Sequence, residues 1–381
     1  MQSQDLPLLH SIQALRAIAA SIVTLFHCVF WLHQSFGVSF PNTTYIAGLG
    51  ASGVHIFFVI SGFIMMWTNQ DNSGNWRKFL RKRFSRIYPS YWLVALIGIL
   101  LAILTGRMLP DQLTIWIGFV LLLPKGASAI IDVGWTLAYE VYFYIIFAVL
   151  IALRVSLQQR VIWLGAIFLV STTIGVFWKP PSGIAFGLPK LITSGLLLEF
   201  AAGAVIGLFA IRSSPVPAWQ GAVMVLAAIL GFAVSVAVDY HAYPAIVLWG
   251  APSILLVAGL VMLERSGWGL KLFRKLSPLG DSSYALYLIH AILIPVLVHF
   301  LPTYSSLNYL IFLAFVALLY LVNIAVAHLY YLKIETLLIR NTNNILNRAV
   351  EQHQKRSKFT RRNRAKRETR RDPQKVWPQK K

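Results

Sequence analysis

The sequence has 381 residues, of which 57% are hydrophobic and 12% are charged, with a formal net charge of +21. This composition excludes an ordinary soluble globular protein. Apolar runs of about 20 residues recur from near the N-terminus to about residue 331, so we predict an all-α integral membrane domain over residues 1–338. The single cysteine, Cys28, excludes an intramolecular disulfide, and the scattered histidines lack the spacing of a metal site, so we predict no metal.

Much of the positive charge lies at the C-terminus. Residues 351–381 contain thirteen Lys/Arg and three Asp/Glu, with almost nothing apolar to bury. We therefore predict that residues 339–381 form a disordered, basic cytoplasmic tail that anchors the topology or contacts anionic lipid headgroups. Nucleic acid is not predicted as a partner, because the tail has no folded motif and few interleaved aromatic residues.

About ten transmembrane helices are predicted along the chain. The segment LTIWIGFVLLLP (113–124) is too short for a span, so we interpret it as a re-entrant or interfacial piece. With about ten spans, every strongly basic segment falls on one side, so both termini are predicted to be cytoplasmic. The first apolar stretch lacks a basic n-region and a cleavage site, so we expect this helix to be retained. The predicted spans lie near 12–32, 46–68, 88–105, 134–153, 160–178, 190–211, 219–238, 244–263, 284–301 and 306–331.

The first predicted helix, in IQALRAIAASIVTLFH, carries Arg16 toward its cytoplasmic end and His27 in the outer half of the membrane. Eleven residues make about three helical turns, so both side chains share one face about 16 Å apart. Ionisable groups within a span are costly and usually face the bundle interior or a wet cavity. A snorkelling role for Arg16 and a helix–helix hydrogen bond from His27 are the alternatives.

Two further predicted spans carry ionisable residues near the depth of His27. His55 lies in GLGASGVHIFFVISGFIMMW, and Glu140 lies in GWTLAYEVYFYIIF with Tyr144 four residues later. A carboxyl group at that depth is neutral or paired, and histidine is a suitable partner. We predict that His27 is a general base for a hydroxyl nucleophile and that Glu140 orients it. His55 and Tyr144 are possible cavity residues.

The basic segment RKFLRKRFSRIYPSYW (77–92) precedes the third predicted span. The positive-inside rule accounts for Lys78 and Lys82. Arg83 and Arg86 are separated by three residues and share a helix face, where planar guanidinium groups bind phosphate with paired hydrogen bonds. Together with Arg16, they predict a phosphate-bearing cytoplasmic ligand whose long arm reaches toward His27.

Several other polar residues have less specific interpretations. His290 in SSYALYLIHAILIPVL is a possible cavity residue, and a hydrogen bond that braces its helix is equally consistent with the sequence. Glu199 is interpreted as a helix-packing contact. Asp239 and His241 lie in an outer loop that is a candidate for contact with an acceptor.

In this order, the motifs resemble the acyltransferase 3 family of bacterial multi-span proteins, which transfer acyl groups to envelope glycans. The resemblance implies ten spans in the bacterial inner membrane, an acyl-CoA donor approached from the cytoplasm, and an acceptor hydroxyl on a sugar that is often lipid-linked or reached from the far side of the membrane. By motif position, His27 corresponds to the family's essential histidine, and Arg16, Arg83 and Arg86 correspond to its functional basic residues. The segments that carry the resemblance are IQALRAIAASIVTLFH, GVHIFFVISGFIM, RKRFSRIYPSYW, GWTLAYEVYFY, LEFAAGAVIG and YALYLIH.

The sequence departs from the family pattern at His55, where related proteins usually have an acidic residue. If that acid orients the essential histidine, its role passes to Glu140 or is lost. The sequence also lacks the hydrolase-like domain fused to some relatives. We therefore expect transfer to occur within the membrane domain or with a separate partner.

The functional hypothesis is a membrane O-acyltransferase without a bound cofactor. It moves an acyl group, with acetyl expected, from acyl-CoA to a hydroxyl of a surface polysaccharide or its lipid-linked precursor. A transporter or flippase of an anionic or glycolipid substrate is the alternative, because intramembrane Arg, His and Glu also line transport paths. No convincing internal repeat supports it. A noncatalytic scaffold is disfavoured by the buried ionisable groups.

Overall fold

The computed structural model describes residues 9–36, 43–71, 73–106, 108–180, 187–238, 243–301 and 308–352. All the longer elements in these ranges are helices and none is a strand, which confirms the predicted all-α class. The α-helices are α1 His10–Phe36, α2 Thr43–Thr68, α3 Trp76–Leu104, α4 Leu113–Val120, α5 Pro124–Ile130, α6 Gly134–Ala152, α7 Leu157–Phe177, α8 Leu188–Ile192, α9 Leu197–Arg212, α10 Ala218–Ala237, α11 Ala251–Arg265, α12 Leu270–Asp281, α13 Ser283–His299 and α14 Tyr309–Tyr330. Short π-helical segments, Ile246–Gly250 and Tyr331–Glu335, precede α11 and follow α14.

The described residues contain nine helices that are long and apolar enough to cross a membrane, and two bent helix pairs that also pass this test. Helices α4 and α5 are bent by 95° relative to each other, and α12 and α13 by 50°. The segment at 113–124 is therefore not a straight span. Counting the α12–α13 pair as one further span gives the ten spans that the sequence predicts, and counting both bent pairs gives at most eleven.

Two helices extend beyond the predicted spans. Helix α3 begins at Trp76, before the span predicted near 88–105, and the Asn75 side chain caps it by accepting a hydrogen bond from Lys78 N at 3.1 Å. The helix that contains α14 continues to Gln352, so residues 339–352 are helical and not disordered. Arg81 Nη1 donates to Asn347 Oδ1 at 3.3 Å and ties this extension to α3. The remainder of the predicted tail, residues 353–381, lies outside the described residues.

Helix α1 occupies the centre of the bundle, in contact with α2, α11, α12, α13 and α14. The Glu264 carboxylate accepts hydrogen bonds from the backbone N–H groups of His10 and Ser11, both at 2.8 Å. A carboxylate at a helix N-terminus satisfies free N–H groups and complements the helix dipole. This contact with α11 fixes the depth of α1, and with it the positions of Arg16 and His27.

Helices α2 and α9 approach each other at backbone distance. A Cβ atom on Gly62 would lie 2.0 Å from Phe200 O, and one on Gly203 would lie 2.0 Å from Val59 O. Small residues permit this kind of close packing between membrane helices. In contrast, α7 and α10 expose large apolar side chains such as Leu169 and Leu226, which is the surface that a bilayer covers.

We expect Gly203→Ala to destabilise the protein by about 1–3 kcal/mol, because the new methyl group would overlap a backbone oxygen that cannot move alone. The measurement is the thermal unfolding midpoint of the purified protein in detergent. Gly165→Ala is the matched control, since no heavy atom lies within 4 Å of the corresponding Cβ position on α7. Equal midpoints for the two variants would contradict the close approach of α2 and α9.

Candidate active site

A cavity of about 180 Å³, the basic cavity, lies between α1, α2, α3, α6 and α13. It brings together Arg16 of α1 with Arg83 and Arg86 of α3, the residues that the sequence predicts to bind a donor. This volume is smaller than the about 300–1,000 Å³ of sites that enclose a whole small molecule, so the cavity suits part of a ligand. Its other polar lining residues are Ser61, Thr136, Glu140, Tyr144, Ser283, Tyr284 and Tyr287.

The three guanidinium groups differ in their partners. Arg86 Nη1 lies 2.6 Å from Glu335 Oε1, and the Glu335 side chain is fully buried. Arg16 Nη1 donates to Gln13 Oε1 at 2.8 Å. Arg83 lies over the Tyr144 ring at 5.7 Å from its centroid, and its Nε is buried without a hydrogen-bond partner among the described residues. Within the described part of the chain, only Arg86 of these three forms an ion pair.

Glu140 belongs to the basic cavity, and its partners were not those that the sequence predicts. Its Oε1 accepts a hydrogen bond from Ser61 Oγ at 2.7 Å and another from the Tyr144 hydroxyl. In the described ranges, none of the contacts that His27 makes involves Glu140. The prediction that Glu140 orients His27 was therefore wrong. The rotation of α6 turns this carboxylate toward the arginines, and depth in the membrane carries no information about that rotation.

His27 has one ring nitrogen available for chemistry. Its Nδ1 lies 2.8 Å from Val23 O, and since a carbonyl only accepts, this nitrogen carries the hydrogen in the neutral ring. The lone pair is then on Nε2, which lies 4.0 Å from Asp132 Oδ2. The His27 side chain is 13% exposed and that of Asp132 is 76% exposed. This arrangement of a free Nε2 beside a carboxylate suits a general base.

His290 lies between His27 and the basic cavity. Its ring centroid is 4.9 Å from that of His27 and 5.7 Å from that of Tyr287, which lines the cavity. The Tyr287 hydroxyl is hydrogen-bonded to Thr136 Oγ1 at 2.7 Å. His290 Nδ1 donates to Leu286 O at 2.9 Å. His290 therefore contacts Tyr287 of the cavity and does not line the cavity itself. The other predicted cavity residue, Tyr144, does line it.

His55 was wrongly predicted as a cavity residue. Its Nδ1 lies 2.5 Å from Glu199 Oε1 in a buried pair between α2 and α9, so Glu199 makes the helix-packing contact that the sequence suggests. Gly250 leaves room for this pair, since a Cβ atom at that position would lie 2.6 Å from Glu199 Oε1. Asp239 and His241 lie outside the described residues.

Asp132 is the site residue that sequence reasoning missed. It lies in the short link between α5 and α6, outside the predicted spans, where an exposed acidic residue needs no special explanation. Its place two residues before GWTL was the available signal.

The chain is similar in sequence to two proteins whose names describe them. Over 264 residues, the chain is 31% identical to the exopolysaccharide production protein ExoZ of Rhizobium meliloti (strain 1021), covering 65% of this chain and 78% of the relative. It is 28% identical over 316 residues to the acyltransferase MdmB of Streptomyces mycarofaciens, covering 75% and 79%. No solved structure matches. The family model described as an acyltransferase domain matches residues 9–332. The chain therefore belongs to the acyltransferase 3 family and is a membrane acyltransferase.

Proposed function

We propose that this protein transfers an acyl group from acyl-CoA to a hydroxyl of an exopolysaccharide or its lipid-linked precursor, and that the acyl group is acetyl. The main observation behind the proposal is a cavity lined by three arginines and by Tyr287, whose ring packs against His290, which in turn packs against His27. The printed names of the two relatives, an exopolysaccharide production protein and an acyltransferase, support it.

The donor's phosphates would meet Arg16 and Arg83, because the charge of Arg86 is already shared with Glu335. Guanidinium groups match phosphate oxygens with paired hydrogen bonds. The small volume of the basic cavity admits the pantetheine arm, while the nucleotide remains outside at the arginine end. We assign this end to the cytoplasm, where the basic loops belong, and the protein to the bacterial inner membrane.

The reaction needs one base. The acceptor hydroxyl oxygen attacks the thioester carbonyl carbon, a C–O ester bond forms and the C–S bond breaks. His27 Nε2 takes the hydroxyl proton and delivers it to the departing thiolate sulfur. The products are the O-acyl sugar and free coenzyme A, and no bound cofactor is required.

We expect His27→Ala to lower transfer of radiolabelled acetyl groups from acetyl-CoA into envelope glycan by about 10²-fold or more, since a general base contributes at least that much. The assay compares membranes that hold equal amounts of folded protein. Undiminished label in this variant would contradict the base role. Absence of label from the wild type with every donor and acceptor tried would favour the transporter alternative.

Arg83→Ala tests the donor site separately. Loss of a charge-assisted hydrogen bond costs about 1.5–3 kcal/mol, so the half-saturating acetyl-CoA concentration should rise about tenfold or more. Lys82→Ala, at the exposed neighbouring position on α3, is the matched control and should leave it unchanged. Equal effects of the two substitutions would indicate attraction by general surface charge instead of a specific phosphate contact.

Cys28→Ser tests whether the acyl group passes directly to the acceptor. Cys28 is fully buried and packs in a cluster with Leu32 and Ile294. We expect at least half of the wild-type transfer activity to remain. A folded but inactive variant would instead indicate a thioester intermediate on this cysteine.

A further inference from the structure

A second cavity, the outer cavity, has a volume of about 470 Å³ and shares no lining residue with the basic cavity. It lies where α1, α3 and α13 end and α5 links to α6, which is the opposite end of the bundle from the arginines. A smaller cavity of about 150 Å³ shares Trp31, Thr105 and Pro295 with it, so the space continues along α13. The combined space is large enough for one or two sugar rings.

The outer cavity borders His27 on the side away from the arginines. Asp132 lines this cavity, and its Oδ2 lies 4.0 Å from His27 Nε2. Trp31 also lines it and follows His27 by four residues, one turn along the same face of α1. His27 lines neither cavity itself, and its ring lies next to Asp132 of the outer cavity and next to His290, which contacts Tyr287 of the basic cavity.

The lining of the outer cavity has the chemistry of a saccharide site. Among the described residues it contains an indole, two hydroxyls and a carboxylate, from Trp31, Thr105, Ser128 and Asp132, and no lysine or arginine. Hydroxyl and carboxylate oxygens accept hydrogen bonds from sugar hydroxyls, and an indole ring packs against the apolar face of a sugar.

We propose that the outer cavity binds the saccharide acceptor, and that Asp132 orients the acceptor hydroxyl beside His27 Nε2. In the step given above, the hydroxyl proton passes to Nε2, and the Asp132 carboxylate stabilises the imidazolium that forms. Asp132 thus supplies an acidic partner for His27, whereas position 55 is a histidine that pairs with Glu199. This inference rests on the proposed acyl transfer and adds the location of its acceptor.

The test measures two half-saturating concentrations in the same transfer assay, one for acetyl-CoA and one for envelope polysaccharide extracted from the producing cells. Trp31→Ala should raise the value for polysaccharide about tenfold and leave that for acetyl-CoA unchanged, the reverse of Arg83→Ala. Asp132→Asn should lower the maximal rate about tenfold, and Asp132→Glu should restore part of it. Trp163→Ala, at a 52% exposed position on α7, is the matched control.

A second measurement separates failure of this inference from failure of the proposed function. Immobilised wild-type protein should retain the same polysaccharide without acetyl-CoA, and Trp31→Ala should not, while both elute as single folded species. Suppose that transfer depends on His27 but that Trp31→Ala leaves the half-saturating polysaccharide concentration unchanged and Asp132→Asn leaves the maximal rate unchanged. That result would overturn the acceptor site and leave the proposed acyl transfer standing. Equal retention by wild type and Trp31→Ala, or none by either, would also overturn it.

Discussion

The placement of three half-buried guanidinium groups in one cavity of an apolar helix bundle is the constraint on which the arrangement of helices depends. Ionisable groups in apolar helices are costly, so such residues gather around polar partners or a wet cavity. Here Arg16, Arg83 and Arg86 meet in one cavity, and Glu335 neutralises one of them from the π-helical turn that follows α14. That ion pair fixes the relative depth of α3 and the C-terminal helix, and the Glu264 contacts at the start of α1 fix the relative depth of α1 and α11.

The same constraint separates the two halves of the proposed reaction. A phosphate-bearing donor is attracted to the arginines, and the outer cavity, which has a carboxylate and no basic side chain among the described residues, is suited to a neutral sugar. The rings of Tyr287, which is hydrogen-bonded to Thr136, and of His290 lie between the basic cavity and His27. In the proposed reaction these two side chains would have to admit the reactive end of the donor arm to His27.

The all-α class and most spans could be predicted from the sequence, because apolar length alone specifies them. The meeting of Arg16, Arg83 and Arg86 in one cavity could also be predicted, since guanidinium groups in apolar helices have few tolerable environments. The partners of His27, His55 and Glu140 could not, because equal depth does not specify which face of each helix meets which neighbour. Asp132 was missed for a related reason, since the fold of the α4–α5 pair brings an unremarkable link residue to His27.

The central claim is that the basic cavity recognises the phosphates of coenzyme A. Equilibrium binding of radiolabelled coenzyme A to the purified protein in detergent tests it without any acceptor. The account predicts saturable binding that weakens at least tenfold in both Arg16→Ala and Arg83→Ala and stays unchanged in Lys78→Ala. Binding of equal strength in all four proteins, or none in the folded wild type, would contradict it.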